Sequence, residues 1–201
     1  MNSLHSRWLV VAVVVGIGLG GAAAAAAQTT ADGTQRDVKQ QQRIEQGLKT
    51  GQLSTAEAAR LERGQAHVDH MQQRDLRDGS LSAGEQARLT AAQNRQSQAI
   101  RAEWHDGVSG NPQSRSSERM QHDVARDVHQ QARIEHGVQS GALTAHETAR
   151  LEGRQAHAAQ VEQRAASDGH VGPHEQRHIQ HVDNRNSRSI YRKKHNGRVA
   201  G

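Results

Sequence analysis

An eleven-residue stretch, GQLSTAEAARL at residues 51–61, decides the fold. Ser54 followed three residues later by Glu57 is a capping box, in which each side chain satisfies a free N–H group at the start of a helix. A glycine just past a helix end adopts the left-handed conformation without steric cost, so Gly51 marks the end of the preceding helix. The stretch therefore predicts a tight turn between two helices.

The same pattern returns later in the chain. It recurs as GSLSAGEQARL at residues 79–89 and as GALTAHETARL at residues 141–151. A fourth, altered copy begins at Gly169, where Pro173 stands at the first helical position and Glu175 keeps its place. Proline is favoured at that position because its missing N–H group would have no helical partner. Each copy predicts the end of one helix and the start of the next.

The whole segment around these turns is duplicated. Residues 36–107 and 126–197 are identical at 31 of 72 positions without a gap. Agreement of this extent indicates a tandem repeat. We predict an all-α fold of two tandem three-helix units, formed by antiparallel helical hairpins after a cleaved signal peptide. The predicted helices are 36–49, 54–77, 82–105, 122–139, 144–167 and 172–195. The predicted divisions are a signal peptide at 1–27, a flexible start at 28–35, unit 1 at 36–107, a linker at 108–121, unit 2 at 122–197 and a tail at 198–201.

The N-terminal segment has the pattern of a secretory signal peptide. Arg7 precedes an apolar run from Trp8 to Leu19, and small residues lead to Ala27 before Gln28. This order of charge, apolar core and small residues is typical of a cleaved signal. A retained membrane anchor is the alternative, but the run is short for a span of about 20 residues. We therefore expect a periplasmic or secreted protein with no membrane span after cleavage.

The composition predicts a thin apolar core. The chain has no phenylalanine and no cysteine, which excludes disulfides and thiol catalysis. Core-type positions of the helices carry glutamine, as in the series Leu61, Gln65, Val68 and Gln72. We expect long, slender helical hairpins, with a protein partner or a second copy supplementing the core.

Histidine is the most unusual residue type, with 14 in the chain. His174 and His178 are spaced as i and i+4, which allows two imidazoles to bind one Zn, Cu or Ni ion. The candidate metal residues are His170, His174, His178 and His181. The matching positions of unit 1 hold no histidine, so an accumulation of histidines by drift on a polar surface remains the other explanation.

A basic patch lies near the C-terminus. Its residues are Arg185, Arg188, Arg192, Lys193 and Lys194. Such a patch can contact a polyanion of the cell envelope, although cations near a helix C-terminus also stabilise the helix dipole. The aromatic residues that stack on single-stranded nucleic acid are missing, so we expect no specific nucleic acid.

The motif G-x-L-[ST]-x-x-E-x-x-R-L, with Asp78-Gly79 and Asn94-Arg95 after it, resembles that of uncharacterised exported helical-repeat proteins of Gram-negative bacteria. The resemblance covers nearly the whole chain after the signal, and it implies no activity and no functional residues. We expect no catalytic residues and no cofactor. The predicted function is a periplasmic, non-enzymatic protein that binds a protein partner or itself. The alternative is a periplasmic Zn/Cu/Ni buffering or metal-stress protein that uses the histidines of unit 2.

Overall fold

The computed structural model describes the backbone of residues 20–198 and the side chains of residues 29–198. This part of the chain contains no β-strand, so the predicted all-α class is confirmed. Its α-helices are α1 (Gly20–Thr50), α2 (Thr55–Asp75), α3 (Ala83–Glu103), α4 (Arg115–Gln139), α5 (Ala145–Ala165) and α6 (Pro173–Lys194). A single 3₁₀ turn, Leu76–Asp78, follows α2.

The turns between helices form as the capping pattern predicts. Ser54 caps α2, and the Glu57 carboxylate accepts a hydrogen bond of 2.8 Å from the Ser54 N–H group. Thr144 and Glu147 make the same reciprocal pair at the start of α5. Gly51 has a φ angle of 75°, a value that disfavours any residue with a Cβ atom. Local sequence therefore determines where these helices begin and end.

Two boundaries differ from the prediction. Residues 28–35, expected to be flexible, belong to α1. They are held there by tertiary contacts, since the Gln93 amide of α3 donates to the Gly33 carbonyl over 2.9 Å and Thr34 is buried. The expected linker at 108–121 is also shorter, because α4 already begins at Arg115 with Ser114 as its cap.

Part of the predicted organisation falls beyond the described side chains. This applies to the expected signal peptide at residues 1–27 and to residues 199–201 of the expected tail. Within the described helices, none has both the length and the apolar character that crossing a membrane requires.

The two halves of the chain, α1–α3 and α4–α6, pack against each other. The most extensive helix contacts are those of α2 with α5 and of α1 with α4, which exceed the contacts inside either half. The largest apolar cluster combines side chains from both halves, among them Leu48, Leu61, Met120 and Ile179. A fully buried leucine contributes about 1.5–3 kcal/mol, and each of these four residues is at most 2% exposed in the whole chain. The second half thus provides the additional packing surface that the thin core of the first half requires.

The pairing of the halves predicts how one half behaves alone. A fragment of residues 28–110 would expose the faces of α1 and α2 that pack on α4 and α5. We expect it to be mostly unfolded as a monomer, because its remaining apolar contacts are few. Circular dichroism combined with sedimentation at low concentration measures this. A stably helical monomeric fragment would contradict the interleaved packing.

Candidate functional sites: an arginine groove and a buried carboxylate seam

A groove on the second half gathers arginines from three helices. It has a volume of about 820 Å³. The residues that line it are Arg133, Arg154, Arg185, Ser187, Arg188, Tyr191 and Arg192. Arg185, Arg188 and Arg192 share one face of α6 because helical residues spaced by three and four positions are neighbours. None of the seven residues is acidic, so the groove has one sign of charge.

The arginines of the groove are held without ion pairs. Arg133 donates to the hydroxyl of Ser187 over 2.7 Å and to its carbonyl over 3.1 Å. Arg188 donates to the Asn184 carbonyl over 3.1 Å. None of the five arginines belongs to a salt bridge with another described residue. Their charge is therefore available to a ligand.

An aromatic side chain lies at the edge of the groove. Tyr191 is 59% exposed. Its ring stacks on His195, with the ring centroids 4.2 Å apart. An exposed tyrosine that is already oriented contributes contact area to a ligand at low entropic cost.

Three arginines of the groove have no counterpart at the matching positions of the first half. Ninety residues earlier, Gly64, Gln98 and Ala102 stand in place of three of the arginines. Arg43, the counterpart of Arg133, lies over the ring of Trp104 at 5.6 Å from its centroid. The full set of five arginines is therefore found only in the second half of the repeated sequence.

Three of the five predicted basic-patch residues line the groove, and two do not. Lys193 and Lys194 are partly buried. Burial lowers the pKa of each ammonium group. Arg133 and Arg154 complete the groove but were not predicted. They lie on α4 and α5, more than 30 residues before the patch, and only the packing of the helices brings them there.

The predicted histidine site is not assembled in this structure. His170, His174, His178 and His181 are all exposed. His174 and His178 border an open depression of about 410 Å³, where Nδ1 of His174 is 2.9 Å from an Arg177 guanidinium nitrogen. Among the described residues, no three potential ligands that include a histidine have their ligand atoms within 4.8 Å of one another. Zn, Cu or Ni binding by these histidines stays a prediction.

A second polar feature lies inside the molecule, where the halves meet. Eleven acidic residues are at most 4% exposed, and three of them, Glu57, Asp75 and Glu147, lie at helix ends. The other eight are buried between the helices. They are Asp37, Glu62, Asp69, Asp123, Asp127, Glu152, Glu162 and Asp183. We refer to these residues as the carboxylate seam. The sequence signal for it is a stripe of polar residues along α2 at heptad spacing, in which Glu62 and Asp69 alternate with Gln65 and Gln72.

Glutamine amides satisfy part of the seam. The two carboxylate oxygens of Asp37 accept hydrogen bonds from Gln72 over 2.6 Å and from Gln93 over 2.9 Å. Gln131 donates to Glu152 over 3.0 Å, and Gln65 donates to Asp69 over 2.9 Å. The glutamines expected at core-type positions thus have a defined task, which is to provide donors to buried carboxyl groups.

Burial changes the protonation of the seam. Desolvation disfavours a charged carboxylate and raises the pKa of Asp37 to about 6 and that of Glu152 to about 8. It raises the pKa of Glu62 to about 7. The pKa values of Asp127 and Glu162 lie well above the ordinary range, through burial first and then through repulsion from neighbouring acids.

Comparison of the chain with known protein families, with curated proteins and with solved structures found no match. The resemblance to exported helical-repeat proteins therefore remains a prediction from the motifs, and function has to be argued from the groove and the seam.

The seam predicts a pH-dependent stability. A carboxyl group whose pKa is raised by folding stabilises the fold most below its unfolded pKa, and this contribution is lost as the pH rises through the folded pKa. For Glu152, which faces Asp37, Asp69 and Gln131, the window runs from about pH 4.5 to about pH 8. We expect Glu152→Gln to match the unchanged protein at pH 4 and to be more stable at pH 8. The difference grows by up to about 1.4 kcal/mol per pH unit.

Urea unfolding at several pH values, in the presence of a chelator, measures this difference in the free energy of unfolding. The matched control is Glu118→Gln, on the exposed side of α4, which should leave the pH profile unchanged. A Glu152→Gln variant with the pH profile of the unchanged protein would disprove the role of burial.

Proposed function

We propose that this chain is an exported, non-enzymatic helical repeat protein that binds a phosphate-bearing polyanion through the arginine groove of its second half. The observation that carries the proposal is the convergence of five arginines from α4, α5 and α6 on one concave surface with no acidic lining residue. Export to the periplasm or beyond is proposed from the signal-like segment at residues 1–27.

Arginine favours phosphate as the recognised group. The guanidinium ion is planar and presents paired N–H donors that match two oxygens of a phosphate or carboxylate. Exposed lysines would supply charge without this geometry, and the two lysines of the predicted patch do not line the groove. Repeated phosphates suit the groove best, because the exposed guanidinium groups of Arg185, Arg188 and Arg192 follow one another along α6.

The groove also fits a binding role better than a catalytic one. No lining residue is a carboxylate, a histidine or a cysteine, so the groove offers no general base at neutral pH. Ser187 is engaged by Arg133 through its hydroxyl. An acidic segment of an envelope protein is the competing occupant, since its carboxylates would also pair with arginine.

Binding measurements with two defined probes test the proposal. We expect the full chain to bind inorganic polyphosphate more tightly than poly-glutamate of equal charge. Affinity should fall steeply between about 50 and 200 mM salt, because each phosphate contact releases counterions. Tighter binding of poly-glutamate would indicate that the groove binds an acidic protein instead. Absence of binding to either probe would refute the proposal that the groove binds a polyanion.

The first half supplies matched substitutions. Arg188→Gln and Arg192→Ala introduce the residues found at Gln98 and Ala102, and Arg154→Ala removes the third arginine that the first half lacks. We expect the triple variant to bind polyphosphate at least about tenfold more weakly, since exposed ion pairs contribute up to about 1 kcal/mol each. A double variant of the first half, Arg95→Ala with Arg101→Ala, removes similar charge elsewhere and should bind nearly normally.

A further inference from the structure

The carboxylate seam contains a compact group of three acids, to which both halves of the chain contribute. Ligand oxygens of Glu62, Asp127 and Glu162 all lie within 4.8 Å of one another, and all three residues are buried. Glu62 comes from α2, Asp127 from α4 and Glu162 from α5. Asp123 and Asp183 are close enough to add to the negative potential there. We refer to Glu62, Asp127 and Glu162 as the carboxylate triad.

The oxygens of the triad lack partners. No N–H or hydroxyl group donates to either carboxylate oxygen of Glu162, to one oxygen of Glu62 or to one oxygen of Asp127, and all four oxygens are buried. Asp127 and Glu162 lie within hydrogen-bond distance of each other, so the two acids have to share either a proton or a cation. Leaving a buried acceptor unsatisfied costs about 1–3 kcal/mol, and more for a charged group. Side chains that bear such a cost, fully enclosed and facing one another, point to a positively charged occupant.

Neutral polar groups around the triad also have incompletely satisfied hydrogen bonds. Gln41 donates its amide to Glu62 over 3.0 Å, but its carbonyl oxygen has no donor. Gln130, 4% exposed, contacts Asp183 through a hydrogen bond that is too poorly aligned to satisfy either of its polar atoms. A polar cavity of about 10 Å³ touches Gln41 and Asp127 between the halves. The free oxygen of Gln41 is therefore a neutral acceptor that faces the same cavity as Asp127.

The first half provides a comparison within the molecule. Asp37 is the counterpart of Asp127, and its oxygens are satisfied by the amides of Gln72 and Gln93. Ninety residues later those two amides are replaced by the carboxylates Glu162 and Asp183. At these two positions the second half therefore has carboxyl groups, whereas the first half has hydrogen-bond donors.

Nearby cations do not compensate for these additional carboxyl groups. Arg126 is the one basic residue in a salt bridge with the described part of this region, and its Nε atom lies 3.8 Å from Asp183 Oδ2. The same guanidinium group also donates to Asn184 at the surface. One arginine cannot neutralise so many neighbouring carboxyl groups in a medium of low dielectric constant, so they require either protons or a bound cation.

We infer that the carboxylate triad, Glu62, Asp127 and Glu162, binds a calcium ion between the two halves of the chain. Calcium takes 6–8 oxygen ligands at about 2.3–2.6 Å, so ligands on opposite sides of the ion are about 5 Å apart, in agreement with the spread of the triad oxygens. Carboxylates can each supply one or two of these oxygens. The free carbonyl oxygen of Gln41 is a further ligand of the kind that calcium accepts.

Other divalent ions fit the triad less well. Magnesium retains several water molecules when it binds to proteins. The cavity beside the triad, which touches Asp127, has room for about one water molecule. Zinc, copper and nickel prefer nitrogen or sulfur ligands. The chain has no cysteine, and the histidines with described side chains are exposed. The calcium site is thus separate in place and in chemistry from the histidine site predicted on α6.

Calcium titration of the full chain at pH 7.5, after removal of metals by a chelator, tests the inference. We expect one calcium ion per chain. The melting temperature should rise by roughly 5–10 °C at a calcium concentration of about one hundred times the dissociation constant. Absence of both the heat of binding and the thermal shift would overturn the site.

Two substitutions convert the second half to the pattern of the first. Glu162→Gln with Asp183→Gln places at these positions the residues found at Gln72 and Gln93, so the variant should still fold. We expect its calcium affinity to fall at least about 100-fold. The control, His174→Ala with His178→Ala, should bind calcium normally. A double glutamine variant that binds as tightly as the unchanged chain would disprove the site.

A measurement on the unchanged chain covers the case in which the variant does not fold. Manganese bound within the enclosed triad should compete with calcium and should cause no enhancement of water proton relaxation, because water does not reach it. A strong enhancement would place the ion at the surface and contradict the inference. If the chain binds no ion and the glutamine variant melts at a higher temperature, the acids only share protons and the calcium site is excluded.

Discussion

The structure depends on how polar groups are satisfied where its two halves meet. The contact of α2 with α5 and of α1 with α4 holds the molecule together, yet it buries acids as well as leucines. Burying an ionised group costs several kcal/mol unless it is paired. Glutamine donors reduce that cost, as Gln41 does for Glu62 and Gln131 for Glu152, both over 3.0 Å. Gln41 and Gln65 of the first half and Gln131 and Gln155 of the second half line one small cavity, so glutamines of both halves meet at the interface.

The two halves of the chain share much of their sequence but differ in the chemistry of their buried polar groups. The first half keeps a closed set of hydrogen bonds around Asp37, whereas the second half concentrates carboxylates around Asp127. The residues that line the arginine groove all belong to the second half. The first half contributes Glu62 to the proposed calcium site and most of the packing surface for the second half.

Sequence reasoning predicted what is local and missed what depends on packing. The capping boxes at Ser54 and Thr144 define helix starts from a few neighbouring residues, and the structure confirms them. The burial of Glu62 and Glu162 was not predicted, because an acid on a polar helix is normally exposed and the contact with the other half depends on packing. The groove was predicted in part, since Arg185, Arg188 and Arg192 are neighbours on one helix while Arg133 and Arg154 arrive from two others.

Cross-linking across the interface of the halves tests the account most directly. His70 of α2 and Gln160 of α5 occupy the same position in each half, and their side-chain nitrogens lie 2.8 Å apart. The chain has no cysteine, so His70→Cys with Gln160→Cys introduces a unique pair of thiols. A short bis-maleimide reagent should join them within the monomer in high yield, and denaturant should abolish the reaction. Separate labelling of both thiols, without an internal cross-link, would show that the two halves do not pack in this way.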